Sequence, residues 1–351
     1  MIRRNQIGSS TVTLGVISSA LTATTLMIIS PISWAQNTAV PVLVVAPRPD
    51  AAIGDGTANN PFRSITAALT TKPQPGTVIQ IAPGTYSADT TQEVFPLTIP
   101  RGVVLRGTPE NRGEGVLIRG SGRFLSPSFA GQNVAVVLGD NTRLEGLTLT
   151  NGEVRGTAVW IERGKGVVIT ANTFRDSNRE GLFMSGSAAA VVVDNLFVSN
   201  GANGISAVGS SSGEIRSNLF DNTGFGLAIG QRSTVRVLEN RIVNNRDGIV
   251  ISNVSRPVLR GNLIANNMRN GVVILPDRRG EPTPDLGSVE SPGKNVFRAN
   301  GEKDINNATA VGVVAIGNEL DQAKLGGSVN LLPAAPESNA VPSARISKPA
   351  S

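Results

Sequence analysis

The chain of 351 residues contains no cysteine and no histidine, and its only aromatic residues are ten phenylalanines, two tryptophans and one tyrosine. Without histidine there is no Ser-His-Asp or Cys-His triad and no His-based zinc or iron site. Without cysteine there is no thiolate chemistry, no iron–sulfur cluster and no disulfide. Any catalysis would therefore depend on carboxylates, arginine, lysine, tyrosine or a hard metal ion. We predict no cofactor.

Lysine is also scarce, because only six of the 32 basic residues are lysine and the other 26 are arginine. The planar guanidinium group suits carboxylate and sulfate ligands, so the excess hints at an acidic partner. A genome-wide preference for arginine codons would give the same composition. The formal net charge of +6 is scattered along the chain and aromatic residues are few, so nothing indicates a nucleic-acid partner.

The two ends of the chain differ from its centre. Residues 1–35 have a basic start, an apolar stretch broken by Pro31 and small residues before Gln36, which is the layout of a secretory signal peptide. The alternative is a membrane anchor, although serine and threonine within the stretch would weaken it. Residues 36–49 are interpreted as a linker, and residues 332–351 as a disordered tail. We therefore expect export to the periplasm, the cell surface or the medium, with no membrane span after cleavage.

The main signal in the sequence is an internal repeat. An asparagine followed two positions later by a large apolar residue recurs at steps of 23, 23, 22, 22, 33 and 23 residues. The seven asparagines are Asn172, Asn195, Asn218, Asn240, Asn262, Asn295 and Asn318. A glycine followed by an aliphatic residue comes eight or nine positions after each of the first five. Residues 276–292, rich in proline and charge, explain the long step as a loop inserted into one turn.

Short strands separated by glycine and asparagine at this period are typical of a parallel β-helix. A leucine-rich repeat has a similar period but needs several leucines in each unit. We therefore predict an all-β fold, a right-handed parallel β-helix that forms a single domain over residues 50–331. The seven asparagines are interpreted as a structural ladder of stacked amides. Residues 60–69 are interpreted as a short helix that caps the N-terminal end.

The N-terminal block resembles a known superfamily. The segments that carry the resemblance are Asp55-Gly-Thr, Asn60-Pro-Phe, Pro75-Gly-Thr-Val-Ile, Ala82-Pro-Gly-Thr-Tyr86, Glu93-Val-Phe-Pro-Leu97, Val104-Leu-Arg-Gly107 and Phe124-Leu-Ser-Pro127. They are similar to the opening of the pectin-lyase-like superfamily and, more narrowly, to a secreted bacterial β-helix family defined only as a domain of unknown function. The resemblance implies the fold over nearly the whole mature chain and brings no catalytic residues. The Gly-His-Gly of polygalacturonase-like enzymes is missing, and Trp160-Ile-Glu is followed by Arg163 instead of the histidine of pectate-lyase-like enzymes.

The strand before each ladder asparagine offers the best candidate binding surface. Its outward positions hold Arg216, Arg236 and Arg260, together with Glu214. Three guanidinium groups on consecutive coils would suit an acidic polysaccharide or envelope glycan, although arginines are also ordinary on a solvated face. The outward positions after the glycine hold no ionisable residue and cannot perform acid–base chemistry. They are Phe183, Ser206, Ala228, Val250 and Val273.

Asp194 and Glu239 are the candidate catalytic residues. Each directly precedes a ladder asparagine, and two coils separate them by about 9–10 Å at the spacing of paired strands. That distance is at the outer edge of the range for the two carboxylates of an inverting glycosidase. Acids at such corners also commonly cap turn amides, which is a purely structural role. No grouping of acids in the sequence indicates a metal site.

Three functions remain open from the sequence. The favoured one is an exported or envelope protein that binds polysaccharide or another surface component without catalysis. The first alternative is a polysaccharide lyase or glycoside hydrolase with an atypical acid pair. The second alternative is a structural or adhesive solenoid, which could dock through the loop at residues 276–292.

Overall fold

The computed structural model describes residues 40–48 and 54–331. Within them, three parallel sheets run along the molecule, and successive coils each add a strand to every sheet. The chain is thus the right-handed parallel β-helix that the repeat predicts. The predicted signal peptide, residues 1–35, and the predicted tail, residues 332–351, lie outside the described residues.

Sheet 1 contains the strands that precede the ladder asparagines. Its nine strands are Val42–Val45, Val78–Ile81, Val104–Arg106, Arg143–Glu145, Val167–Thr170, Ala189–Val193, Ser212–Arg216, Arg236–Leu238 and Val258–Arg260. The first of them corrects the predicted linker at residues 36–49, because Val42–Val45 pairs in parallel with Val78–Ile81. The physical reason is burial: Val45 is fully buried in the core, so this apolar run is more stable as a strand than as a solvated linker.

Sheet 2 contains the strands that follow the asparagines. Its nine strands are Gly84–Tyr86, Val116–Arg119, Thr148–Thr150, Thr173–Arg175, Leu196–Val198, Leu219–Asp221, Arg241–Val243, Leu263–Ala265 and Val296–Arg298. Phe174, Phe197 and Phe220 are fully buried on this sheet, and their rings stack with centroids 4.7 and 4.9 Å apart. Each ring contributes about 1.5–3 kcal/mol of transfer free energy, so this file is a main part of the core.

Sheet 3 contains the strands in the region of the repeated glycine that comes eight or nine positions after a ladder asparagine. Its parallel strands are Leu97–Ile99, Ala130–Leu138, Gly156–Glu162, Leu182–Ser185, Asn203–Ala207, Phe225–Ile229, Asp247–Ser252, Asn270–Leu275, Lys303–Asn307 and Leu325–Gly326. One further strand, Gly122–Ser126, pairs antiparallel with Ala130–Leu138. These two strands and the turn between them form the hairpin, whose Phe124 and Phe129 pack against rings on the outer face of the sheet.

The seven ladder asparagines stack at the corner between sheets 1 and 2. Each Nδ2 donates a hydrogen bond to the Oδ1 of the next asparagine at 2.8–3.0 Å. Each backbone N–H donates to the same oxygen at 2.9–3.0 Å. The left-handed backbone that turns the corner belongs to the residue before the asparagine, as in Asp194, Ser217 and Glu239.

A second ladder follows the next corner, five residues after the first. Asn245 Nδ2 donates to Asn267 Oδ1 at 3.1 Å, and Asn267 Nδ2 donates to Asn300 Oδ1 at 3.0 Å. Thr223 extends it by donating its hydroxyl to Asn245 Oδ1 at 2.7 Å. In the coils that carry both ladders, two corners are therefore fixed by buried side chains, which makes this part of the β-helix a rigid frame for its surface residues.

A short helix, Ile65–Thr70, contacts the first strands at the N-terminal end. It begins five residues later than predicted, because Phe62 is extended and bridges to Val45. The buried Glu93 carboxylate accepts the N–H groups of Ile65 and Thr66, both at 2.8 Å, which satisfies amides that the first helical turn leaves unpaired. Burial, working against these hydrogen bonds, raises the pKa of Glu93.

The remaining short elements are two 3-10 helices, Pro109–Asn111 and Gln322–Lys324, and a two-stranded sheet of Val313–Val314 and Val329–Asn330. None of the helices in residues 40–48 and 54–331 has the length and apolar character that a membrane span requires.

The loop at residues 276–292 folds back onto the coils that flank it. Leu286 is 1 % exposed and belongs to the core. The N–H of Leu259 donates to the carbonyl oxygen of Asp285 at 2.9 Å. The segment therefore supplies an irregular rung beside the last strand of sheet 1, instead of being thrown out of its turn as the sequence suggested.

Candidate functional site

The predicted arginine stripe, Arg216, Arg236 and Arg260, lies on the outer side of sheet 1, but acids compensate its charge. Glu214 lies between two of the arginines: its Oε1 is 3.3 Å from Arg236 Nη1, and its Oε2 is 3.8 Å from Arg216 Nε. The strand register pairs Arg236 with Glu214 and places Leu238 between Arg216 and Arg260. The three guanidinium groups thus occupy two files instead of one continuous row.

Arg260 is held by the loop at residues 276–292. Its Nη2 is 2.7 Å from Asp285 Oδ2, and its Nε donates to Ser291 Oγ at 3.2 Å. Only 18 % of its side chain is exposed. A ligand at this stripe would have to displace contacts that the protein already makes.

Asp194 and Glu239 both lie at the corner between sheets 1 and 2, with Ser217 on the coil between them. Asp194 Oδ1 accepts from Arg112 Nη2 at 2.6 Å and from Arg112 Nε at 3.2 Å. Glu239 has no ion pair within the described residues, and it lines a shallow cleft with Arg236, Arg260 and the end of the loop. The structure therefore gives the two acids different surroundings: one is neutralised and one is open.

The outer face of sheet 3 carries an aromatic cluster under the hairpin. Trp160 and Phe183 stack with their centroids 4.0 Å apart, and Phe129 meets Phe183 edge-on at 5.1 Å. Trp160 is 1 % exposed and Phe183 is 7 % exposed. This part of the face is therefore packed under the hairpin, which covers both rings.

Glu162 fastens the hairpin to sheet 3. Its carboxylate accepts hydrogen bonds at 2.6–3.0 Å from four side chains, those of Ser126, Ser128, Ser185 and Trp160. Burial alone would raise the pKa of Glu162, but these donors together outweigh it and hold the pKa below its usual value. With its acceptor sites occupied, this carboxylate acts as a structural clamp.

A surface cleft crosses five successive coils where sheet 3 leads into sheet 1. It is lined on those coils by Gly186, Gly209, Gln231, Asn253 and Arg279, and Arg232 also faces it. A neighbouring cleft shares Arg232 and Val254 and adds Arg256, Glu281 and Thr283. Three arginines therefore converge on one corner. We call Arg232, Arg256 and Arg279 the arginine corner.

The three guanidinium groups of the arginine corner are free of ion pairs in residues 40–48 and 54–331. Glu281 lines the second cleft, but its two oxygens accept the N–H groups of Ala310 and Val311 at 3.1 and 3.2 Å. Three exposed guanidinium groups against the carboxylates of Glu281 and Asp277 leave the corner with a net positive charge.

A chain of side-chain hydrogen bonds builds the floor of the first cleft. Gln231 Oε1 accepts the N–H of Gly209 at 2.9 Å, and Asn253 Oδ1 accepts the N–H of Gln231 at 2.7 Å. Asn253 Nδ2 then donates to Asp277 Oδ2. Gly209 has a positive φ of 73°, and a Cβ there would lie 2.5 Å from the carbonyl oxygen of Gly186, so glycine is required to keep the floor open. The polar floor is thus fixed before any ligand arrives.

In the described part of the chain, no three acidic side chains come together closely enough to hold a metal ion. Asp247 is fully buried, and its carboxylate is occupied by Arg269 and by Asn270, whose Nδ2 donates to Oδ1 at 2.9 Å. Its role is therefore to support the start of its strand.

Solved structures share the architecture. Pectate lyase Pel9A is 15 % identical with a TM-score of 0.55, covering 83 % of this chain and 77 % of its own. The catalytic unit of an α-1,3-glucanase from Streptomyces thermodiastaticus is 17 % identical with a TM-score of 0.52, covering 78 % of this chain and 54 % of its own. A pectin methylesterase from Aspergillus niger is 13 % identical with a TM-score of 0.50, covering 83 % and 91 %. At such identities the likeness shows the fold alone, and the three names describe three different activities.

The fold is therefore the parallel β-helix that the chain shares with these structures. Residues 50–324 match the DUF1565 family, described as a protein of unknown function, and the chain belongs to that family. Comparison with curated proteins gives no match.

Proposed function

We propose that this chain is an exported protein that binds an acidic glycan at the arginine corner, without catalysis. The observation that carries the proposal is the convergence of Arg232, Arg256 and Arg279 on two adjoining clefts without an ion pair among the described residues. Guanidinium groups donate paired hydrogen bonds to carboxylate and sulfate oxygens, which neutral sugars do not offer. The ligand class is therefore a uronate or sulfated polysaccharide.

The polar floor supports the same ligand. The side-chain oxygens of Gln231 and Asn253 accept the backbone hydrogen bonds that build this floor. Ser210 lies beside them in the cleft. Amide N–H and hydroxyl groups in such a row can bond to sugar hydroxyls, while the arginines bind the acidic substituents. Because the row is already ordered, binding costs little conformational entropy in the protein.

The arginine corner is a better candidate than the arginine stripe for an energetic reason. A glycan carboxylate at Arg236 or Arg260 would compete with Glu214 or Asp285, and the exchange of one carboxylate for another gains little. At the arginine corner a glycan carboxylate breaks no ion pair of the described residues. Exposed ion contacts are worth about 0.2–1 kcal/mol each. The difference in binding free energy between the two surfaces therefore depends on whether each contact with the glycan is new or replaces a contact within the protein.

The proposal favours binding over catalysis because the acids near the arginine corner are already engaged. Asp277 accepts the N–H of Arg279 at 2.7 Å as well as the Asn253 amide, and Glu281 accepts two backbone amides. A hydrolase built on Asp194 and Glu239 is the second candidate, favoured only by the open Glu239 carboxylate. It predicts cleavage of a polysaccharide that Glu239→Gln abolishes.

Calorimetric titration of the mature chain with polygalacturonate, alginate and a sulfated glycan tests the proposal. Binding should weaken as ionic strength rises, because salt screens exposed charges. Changing the three corner arginines to serine should weaken binding about 10- to 150-fold, if each contact is worth about 0.5–1 kcal/mol. Binding that ignores both salt and the triple change would contradict the proposal.

Export is a separate part of the proposal, and it depends on residues 1–35 acting as a signal peptide. N-terminal sequencing of the chain recovered from a secreting host should begin at Gln36. Recovery of an uncleaved chain in the membrane fraction would instead support the anchor.

A further inference from the structure

A second groove lies where sheet 2 leads into sheet 3, beside the hairpin. Three neighbouring strands of sheet 2 end there, namely Gly84–Tyr86, Val116–Arg119 and Thr148–Thr150. We call it the hairpin groove. Its lining includes the side chains of Asp89, Phe95, Arg119, Ser121, Asn151 and Glu153.

The charges of the hairpin groove differ from those of the arginine corner. Asp89, Arg119 and Glu153 are all exposed, and none has an ion pair in the described ranges. Two carboxylates and one guanidinium group therefore line one groove without neutralising one another. The groove carries a net negative charge, so it does not suit the acidic glycan proposed for the other corner.

The rest of the groove is fixed by buried contacts. Asn151 is 1 % exposed; its Nδ2 donates to Asn133 Oδ1 and to the carbonyl oxygen of Thr157, both at 3.2 Å. Ser121 donates its hydroxyl to the same Asn133 oxygen at 2.7 Å. Asn151 Oδ1, in contrast, is buried and has no partner among the described residues.

An aromatic ring forms one wall of the groove. Phe95 is half-buried, and a Cβ at Gly120 would lie 2.1 Å from its Cζ. Only glycine lets the ring lie directly against the strand end, so the position of the ring is set by the backbone.

We propose that the hairpin groove binds a neutral saccharide. Sugar hydroxyls can donate to the Asp89 and Glu153 carboxylates and accept from Arg119, and such charge-assisted hydrogen bonds are the stronger class. The C–H face of a pyranose ring packs on an aromatic wall such as Phe95. A uronate or sulfate group would instead meet two uncompensated carboxylates, and that repulsion selects against acidic sugars. The inference goes beyond the acidic-glycan site, because the residues and the ligand class are both different.

The test is calorimetric titration of the mature chain with neutral hexasaccharides of glucose, mannose, xylose and N-acetylglucosamine, with oligogalacturonate as the acidic comparison. The variant is Asp89→Ala with Glu153→Ala. Its matched control is Glu110→Ala with Glu114→Ala, which removes two exposed acids outside the groove. Circular dichroism and thermal unfolding establish that all variants fold.

We expect saturable binding of at least one neutral oligosaccharide, weakened about tenfold or more by the Asp89/Glu153 variant and unchanged by the Glu110/Glu114 control. The arginine-corner variant should keep this binding, so failure of the acidic-glycan proposal leaves this one separately decidable. No saturable binding by the whole neutral panel would overturn the inference. Equal loss in variant and control, or oligogalacturonate binding that the Asp89/Glu153 variant weakens, would overturn it as well.

Discussion

Replacing one ladder asparagine should destabilise the β-helix more than the small size of the asparagine side chain suggests. Asn240 is 2 % exposed. Its Oδ1 accepts the backbone N–H and the Nδ2 of Asn218, both at 3.0 Å. Its Nδ2 donates to Asn262 Oδ1 at 3.0 Å and to the carbonyl oxygen of Ile215 at 2.8 Å. Asn240→Ala therefore removes four hydrogen bonds, among them the one that satisfies the buried backbone N–H of Asn218.

The expected loss follows from this count. A buried hydrogen bond contributes about 1 kcal/mol net, so Asn240→Ala should lower the free energy of unfolding by about 4 kcal/mol. Asn111→Ala is the control: Asn111 is exposed and makes one long hydrogen bond, 3.4 Å to the carbonyl oxygen of Glu114. Its loss should stay within about 0.5 kcal/mol.

The assay is urea unfolding followed by far-ultraviolet circular dichroism and by the fluorescence of Trp160. Coincident transitions justify one free energy of unfolding for each variant. A loss for Asn240→Ala below about 1 kcal/mol, or equal to that of Asn111→Ala, would refute the view that the amide ladder stabilises the corners.

Three further predictions concern the core, the hairpin and the loop. Phe220→Ala should cost about 3–5 kcal/mol in the same urea assay, because it opens a cavity in the aromatic file; a loss below about 1 kcal/mol would show that the file is not packed as described. Because the pKa of Glu162 is lowered, its ionised carboxylate stabilises the hairpin above the usual titration range of glutamate, and this contribution is lost as pH falls through the lowered value. Thermal melts against pH should show an acid-sensitive step that Glu162→Gln removes. An identical pH profile in both proteins would contradict this prediction. Deleting residues 277–290 should destabilise the fold, because it removes the buried Leu286 and the Asp285 contact with the last strand of sheet 1; an unchanged melting temperature would show that the loop is dispensable.

The repeat could be predicted from the sequence because stacking imposes one residue type at each interior position. The asparagine file and the phenylalanines recur in register, since every coil must fit the coil below it. The second ladder left the same kind of trace, with Asn200, Asn245, Asn267 and Asn300 five residues after asparagines of the first. Thr223 interrupts that trace, and its hydroxyl substitutes for the amide in the structure.

The arginine corner could not be predicted in this way, because surface positions are not constrained by stacking. Arg232 lies eight residues before its ladder asparagine and Arg256 lies six before its own, while Arg279 belongs to the inserted loop. Only the folded corner brings these different offsets together. The ion pair between Arg260 and Asp285 could not be predicted either, because it forms only when the loop folds back, and the two residues are 25 positions apart in the sequence.

The central claim is that acidic glycans bind at the arginine corner and not at the arginine stripe. The most direct measurement compares two triple variants of equal charge change, Arg232, Arg256 and Arg279 to serine against Arg216, Arg236 and Arg260 to serine, in calorimetric titrations with the same polyuronate at one low ionic strength. The account predicts that the corner variant loses about 10- to 150-fold in affinity, while the stripe variant stays within about threefold of the unmodified chain. Equal losses would show a nonspecific effect of net charge, and a larger loss in the stripe variant would contradict the account.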